Sequence, residues 1–327
     1  MLAFLFTLCC KQGPAQPIWK LRLQSRPYAD PIIRGEKFYV FSQAGEVVCG
    51  DARTGKKNWT QKVAGPVLGT PVFSEDSLFL VTQNGFAYAL NPENGSQKWQ
   101  TQLKDLFIAP LATFSGALLL PSENGTLFAL SQENGMERWR FSGQKKFNAS
   151  PMIAGNNILI GGWNKQFTCL KKDGSVNWQL TAAEMITGDP VRLDNSVFFP
   201  CYDHFVYAVE IPTGRLLWRF PASQPSNLIV RNKEIVFASG TDLVYVSPNS
   251  GKLLRKVKFG RTISRIYADE TSLFFLSRDV YRVKPVNAAI SVVIRGPQPI
   301  YKLSFGVGMI LASDDLYSIY GYGMRKE

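Results

Sequence analysis

Apolar residues along this chain neither alternate cleanly nor recur at helical spacing. They come in runs of four to seven, rich in Val, Leu, Phe and Tyr and bounded by Gly, Asn, Asp and Ser. One stretch shows the plan. GTPVF from Gly69 leads to SLFLVTQ from Ser77, then GFAYALN from Gly85, the turn Asn94-Gly95, and KWQTQL from Lys98. Short runs bounded by such punctuation predict strands. The Asn-Gly pair supplies a residue that adopts positive φ without a Cβ penalty. The unit reads as a four-stranded antiparallel meander. Its second and third strands are apolar almost throughout (KFYVFS, ALLLPS, VFFPC, LFFLS). A sheet covered on one face alternates, whereas continuous apolar runs predict burial on both faces. Blades packed radially against their neighbours meet that requirement.

The unit repeats. A turn followed by tryptophan ends at Trp59 (TGKKNW), Trp99 (NGSQKW), Trp139 (NGMERW), Trp178 (DGSVNW) and Trp218 (TGRLLW), at spacings of 40, 40, 39 and 40. Trp19, in PIWKLRL, lies 40 residues before Trp59 and has no turn before it. A fixed period in this range predicts a propeller or solenoid. Third strands begin at Glu46, Phe86, Thr126, Gln166, Phe205, Leu243, Val280 and Leu316. Eight first strands accompany them, from Asp30 to Tyr301, but only seven fourth strands follow a third. The expectation is an all-β, eight-bladed propeller whose last blade is completed by the N-terminal strand around Trp19, leaving no open edge.

A third strand, an Asx- or Thr-Gly turn and a Trp four residues after the Gly resembles the PQQ-like β-propeller repeat. Quinoprotein dehydrogenases and the BamB lipoprotein of the outer-membrane β-barrel assembly machinery share that repeat. The resemblance runs from Ile18 onward and is strong through Trp218. It then fades: Gly251 keeps the turn but Arg255 takes the tryptophan position, and VNAAISVVI in the seventh unit has neither. The resemblance implies that Trp19, Trp59, Trp99, Trp139, Trp178 and Trp218 wedge between blades. A buried tryptophan such as Trp139 is then expected to cost roughly 3–5 kcal/mol when cut to alanine. Quinone enzymes of this kind need a cation-holding set of acidic and amide oxygens. Neither such a constellation nor the long insertions that build its pocket stand in this sequence. No catalytic, metal-binding or cofactor-binding residues are therefore assigned, and no cofactor is expected. The resemblance implies a non-enzymatic protein-interaction scaffold of the bacterial envelope. A small-molecule or sensor module using the central channel is the alternative, and a PQQ-dependent dehydrogenase stands behind both.

Composition narrows this only partly. A single histidine, His204, argues against histidine catalysis and multi-histidine metal sites. Asp203-His204 falls where other units carry Asn84-Gly85 and Asn124-Gly125, so it reads as a turn. Cys49, Cys169 and Cys201 lie singly in apolar strands without metal-type spacing and read as small buried hydrophobes. The net charge is +12. Of this, residues 231–302 carry 13 Lys/Arg against 5 Asp/Glu, densest at Arg255, Lys256, Lys258, Arg261 and Arg265. That run reads either as a solvated face or as a basic docking patch for an acidic protein or anionic head groups, rather than for nucleic acid.

No apolar run reaches the roughly 18 residues of a membrane span. Residues 1–10 (MLAFLFTLCC) resemble a truncated lipoprotein signal with Cys9 or Cys10 as the lipidation candidate. The segment lacks a basic start and small residues before Cys9, so ordinary secretion and a cytosolic chain stay open. Residues 11–17 read as a tether and 18–327 as a single propeller. The chain is expected to be exported to the periplasm or the periplasmic face of the outer membrane, and to be monomeric outside a complex.

Overall fold

The structure is a computed structural model that describes residues 14–324 except 75, 187, 270, 285–288 and 297. Among the described residues there are eight four-stranded antiparallel sheets and no helix. Blades one to seven occupy 32–62, 72–102, 112–142, 152–181, 191–221, 229–258 and 265–294, each pairing its strands in chain order. Blade eight is built from both chain ends. Ile300–Gly306, Met309–Asp314 and Ser318–Gly323 are followed in space by Trp19–Arg22, with Trp19 opposite Gly321. The N-terminal strand thus completes the eighth blade and closes the ring, as the strand count required.

Burial follows the strand order. First strands of neighbouring blades touch one another around the axis. Second strands such as Leu78–Val81 and Ala117–Pro121 are wholly buried and third strands such as Thr126–Ser131 are buried beyond their first residue, which is why they carry no polar face. Fourth strands form the rim and alternate, as in Glu137–Ser142. The apolar core is divided into eight clusters, each assembled from two neighbouring blades. Phe79 and Trp99 of blade two, for example, pack with Leu118 and Phe128 of blade three. No blade buries its own faces, so each needs its neighbours to be stable.

The antiparallel meander gives the ring two ends. Hairpins between second and third strands, together with the loops joining blades, lie at one end, here the loop end. The tight turns between third and fourth strands lie at the other, the turn end. Before entering blade eight the chain crosses the edge of blade seven. Ala15 forms a parallel bridge to Ile294 and donates its N–H to the Val293 carbonyl at 2.8 Å. Part of the stretch read as a tether is therefore laid on the sheet. Cys9 and Cys10 lie outside the described residues.

Candidate functional site

The turn end shows what the tryptophans do. Some third-to-fourth-strand turns begin with a polar residue that caps the backbone: Asp51 Oδ1 accepts from the N–H groups of Arg53 (3.0 Å) and Thr54 (2.8 Å), and Asn91 Oδ1 from that of Glu93 (2.8 Å). The glycine that ends the turn has positive φ, +75° at Gly95, and the indole of the preceding blade lies against it. A Cβ at Gly95 would stand 2.6 Å from the Trp59 ring. Five indoles also donate their N–H to a carbonyl of that turn. Trp19 donates to Ala52 (3.0 Å), Trp59 to Pro92 (3.1 Å), Trp99 to Gln132 (2.8 Å), Trp178 to Ile211 (2.8 Å) and Trp218 to Pro248 (2.8 Å). Trp139 lies against Gly174, but its indole N–H makes no hydrogen bond among the described residues.

Small residues make room for the indoles. Across the strand pair from Trp59, Trp99, Trp139, Trp178 and Trp218 stand Cys49, Ala89, Ala129, Cys169 and Ala208. Blade six inverts the sizes. Arg255 takes the tryptophan position, and Tyr245 stands opposite with its ring centroid 3.8 Å from the guanidinium. Glu234 closes a bidentate pair on Arg255 at 2.5 and 2.7 Å.

The basic run divides in space. Arg255 is held by Glu234 and Lys256 by Asp242 (2.6 Å), both on the fourth strand Leu253–Lys258. Lys258 and Arg261 are exposed and have no ion-pair partner among the described residues. Arg265 starts the first strand of blade seven and turns into the axial channel. The five residues do not share one face.

The channel mouth at the loop end collects charges that the sequence reading missed. Asp30 of blade one meets Arg265 of blade seven (3.2 Å) and Lys302 of blade eight (2.9 Å). Asp189 of blade five accepts the Ser150 N–H at 2.6 Å. Burial pushes its carboxyl above the ordinary range, opposed chiefly by that hydrogen bond and by Arg265. These groups border an open cavity of about 330 Å³ with Leu68, Ile108 and Pro110 on its apolar side. Phase within the repeat is the signal that could have found the two acids: Asp30 and Asp189, like Thr70 and Ser150, precede a first-strand proline.

Around this mouth the loop end presents three large exposed side chains, Leu106 in the loop joining blades two and three, and Trp163 and Tyr202 at matching hairpin positions of blades four and five. Leu106, Trp163 and Tyr202 are 45%, 38% and 63% exposed. Their backbones are fixed by inter-loop bonds: Glu123 N–H to Leu106 O (2.8 Å), Trp163 N–H to Lys146 O (3.0 Å) and Tyr202 N–H to Met185 O (2.9 Å). Lys146 lies over the Trp163 ring and pairs with Glu123 at 2.6 Å.

Against known proteins, the family model described as outer membrane protein assembly factor BamB matches residues 13–120 and 123–317. The chain belongs to the BamB family. BamB of Legionella pneumophila (strain Paris) is 24% identical over 112 residues, which span 31% of this chain and 29% of that relative. The solved structure of BamB from Moraxella catarrhalis superposes with a TM-score of 0.81, covering 96% of this chain and 99% of that one at 17% identity. The computationally designed Ika8 protein reaches 0.83 over 94% of this chain and 99% of its own, at 13% identity. These two likenesses concern the fold, and a designed ring of the same shape underlines that fold does not dictate function.

The other residues singled out lie in structural surroundings. His204 has φ of +66° in the hairpin turn, and Asp203 accepts from the Phe205 N–H (3.2 Å) and the Tyr207 hydroxyl (2.5 Å). Cys49, Cys169 and Cys201 are buried and unpaired with one another. Desolvation pushes the Cys49 and Cys201 thiols up to about 11. Among the described residues no three His, Cys, Asp or Glu side chains lie close enough to hold a metal ion.

Proposed function

We propose that this BamB-family chain is a non-enzymatic scaffold of the bacterial envelope that docks protein partners of outer-membrane protein assembly on the loop end of its ring. The observation that carries the reading is the arc of exposed Leu106, Trp163 and Tyr202 on a backbone fixed by inter-loop hydrogen bonds. Large apolar and aromatic side chains presented on a rigid frame are what a partner's hot-spot pockets take up at low entropic cost. Exposed aromatics at the matching hairpin positions of blades four and five, with Leu106 on a joining loop of the same end, mark an interaction face rather than isolated surface residues. The family match supports the same role. The chain would act at the periplasmic face of the outer membrane, anchored through Cys9 or Cys10, and be monomeric outside its complex. The basic docking surface in this reading reduces to Lys258 and Arg261, because the other cations of the run are paired.

A photo-crosslinking amino acid at Tyr202 or Trp163, in cells producing the full chain, tests this. Discrete adducts with outer-membrane assembly components are expected from the loop end, and none from position 254 on the outer strand of blade six. Adducts only from blade six, or from neither place, refute the loop-end reading. Membrane partitioning of Cys9→Ser and Cys10→Ser chains tests the anchor separately.

A further inference from the structure

The spacing of 39 between Trp139 and Trp178, where the other motif spacings are 40, has a structural counterpart. Regular turns close from the glycine N–H to the carbonyl four residues back, as Gly135 does to Ser131 at 2.9 Å. The turn of blade four, Lys171-Lys172-Asp173-Gly174, closes from Gly174 to Lys171 at 3.0 Å and is one residue shorter. In the regular turns the indole acceptor is the carbonyl of the residue after the first, and Lys172, which holds that position in the shorter turn, makes no such bond to Trp139. The indole N–H therefore has no acceptor among the described residues, and a cleft of about 460 Å³ opens between blades three and four. Trp139, Phe114 and Ala117 form its apolar wall, with Arg138, Lys171, Lys172 and Asp173 at its rim.

Charge and donors point the same way. Three cations face one acid, and that acid is engaged: Asp173 Oδ1 accepts from the Ser175 N–H (3.0 Å) and hydroxyl (2.6 Å). Arg138 spends one of its donors on the Ser115 carbonyl (3.2 Å). Lys171 and Lys172 have no ion-pair partner among the described residues. The site has hydrogen-bond donors in excess, an aromatic wall, and a vacant position where every comparable tryptophan meets a carbonyl oxygen.

We propose that this cleft binds a small aromatic carboxylate, one of its oxygens replacing the turn carbonyl at the Trp139 indole N–H. Its second oxygen meets Arg138 and Lys172, and its ring lies on Trp139 and Phe114. At roughly 30 Å³ per non-hydrogen atom the space admits about fifteen. The site is at the turn end, opposite the docking face, so either reading can fail alone.

Titration calorimetry with 2-naphthoate at low salt is the test, with 2-naphthamide as the neutral isostere. The carboxylate is expected to bind in the sub-millimolar range and the amide at least about tenfold more weakly, the factor of one charge-assisted hydrogen bond. Added salt should weaken the carboxylate because the cations are exposed. Trp139→Phe keeps the ring but removes the N–H and should cost about tenfold. Inserting one asparagine after Lys172 restores the regular turn, so it should raise the melting temperature and abolish binding. Should the insertion unfold the chain, Trp139→Phe decides alone. No heat with 5 mM naphthoate, equal affinity for the amide, or undiminished affinity in Trp139→Phe overturns the proposal.

Discussion

Cutting Trp99 and Trp139 to alanine separates what an indole contributes as a wedge from what it contributes as mere apolar surface. Trp99 is 9% exposed, lies against Phe79 with ring centroids 5.8 Å apart, and donates to Gln132 O at 2.8 Å. Its removal leaves an enclosed hole between blades two and three and strips a carbonyl of its donor. Both effects place the loss at roughly 3–5 kcal/mol. Trp139 is half-buried, its indole N–H has no acceptor among the described residues, and it borders a cleft already open to water. Its removal encloses no new cavity, so about 1–2 kcal/mol is expected, below the figure that a generic buried tryptophan suggests. A chain of this size loses about 2 °C of melting temperature per kcal/mol. Trp99→Ala should therefore melt roughly 6–10 °C below the parent, and Trp139→Ala about 2–4 °C below it. Calorimetric scans of the two variants, checked by guanidinium unfolding, measure the difference. Equal shifts would mean that the inter-blade hydrogen bond and the closed contact do not matter, and the wedge reasoning would fail.

Other outcomes follow from the same geometry. Gly214→Ala places a Cβ 2.6 Å from the Trp178 ring at φ of +73°, whereas Gly155→Ala, at +60°, meets nothing within 4 Å. Urea unfolding should show about 1 kcal/mol lost at Gly155, the backbone strain alone, and clearly more at Gly214. Buried Cys49, Cys169 and Cys201 should escape a thiol reagent at pH 7.5 in the native chain and react on unfolding, as read by peptide mapping. Asp189 has a raised folded pKa, so the stability it contributes is complete below the ordinary carboxylate range near pH 4 and is lost as pH rises through the folded value. Asp189→Asn, which keeps the acceptor for Ser150, should flatten that part of the stability–pH curve, and an unchanged slope in thermal melts from pH 4 upward refutes the assignment.

The ring was legible in the sequence because its signals are local. A turn glycine, a tryptophan four residues on and doubly apolar middle strands each report their own surroundings, and their count fixed both the blade number and the strand exchange at Trp19. What stayed hidden depends on the axis, where residues from distant blades meet. Asp30, Arg265 and Lys302 share no motif and are brought together only by closure. The run from Arg255 to Arg265 divides in space for the converse reason. Neighbours in sequence are carried from the outer strand of one blade to the inner strand of the next. There Arg255 finds Glu234 and Arg265 finds Asp30, so density along the chain did not become density on a face. The one-residue deficit before Trp178 was visible in the spacing, but only the carbonyls received by the other indoles give it meaning.

Closure itself is where rigidity and charge converge. Antiparallel pairing of Trp19–Arg22 with Ser318–Gly323 ties the chain ends at the rim. At the axis, one carboxylate in blade one holds cations from blades seven and eight, drawing three blades on both sides of the seam together. Arg265 is fixed a second way, its guanidinium 5.4 Å from the Tyr267 ring centroid, whose hydroxyl burial pushes up to about 12. Breaking the seam at the rim frees the last strand of blade eight, while breaking it at the axis leaves two cations in a cavity around one absent acid. The first exposes a sheet edge and the second strands charges in a confined space, and each is costly for a separate reason. A ring held at both radii can vary its loops and turns, as at Trp139 and along the Leu106–Tyr202 arc, without opening. That independence allows binding surfaces to diverge on a frame that stays closed.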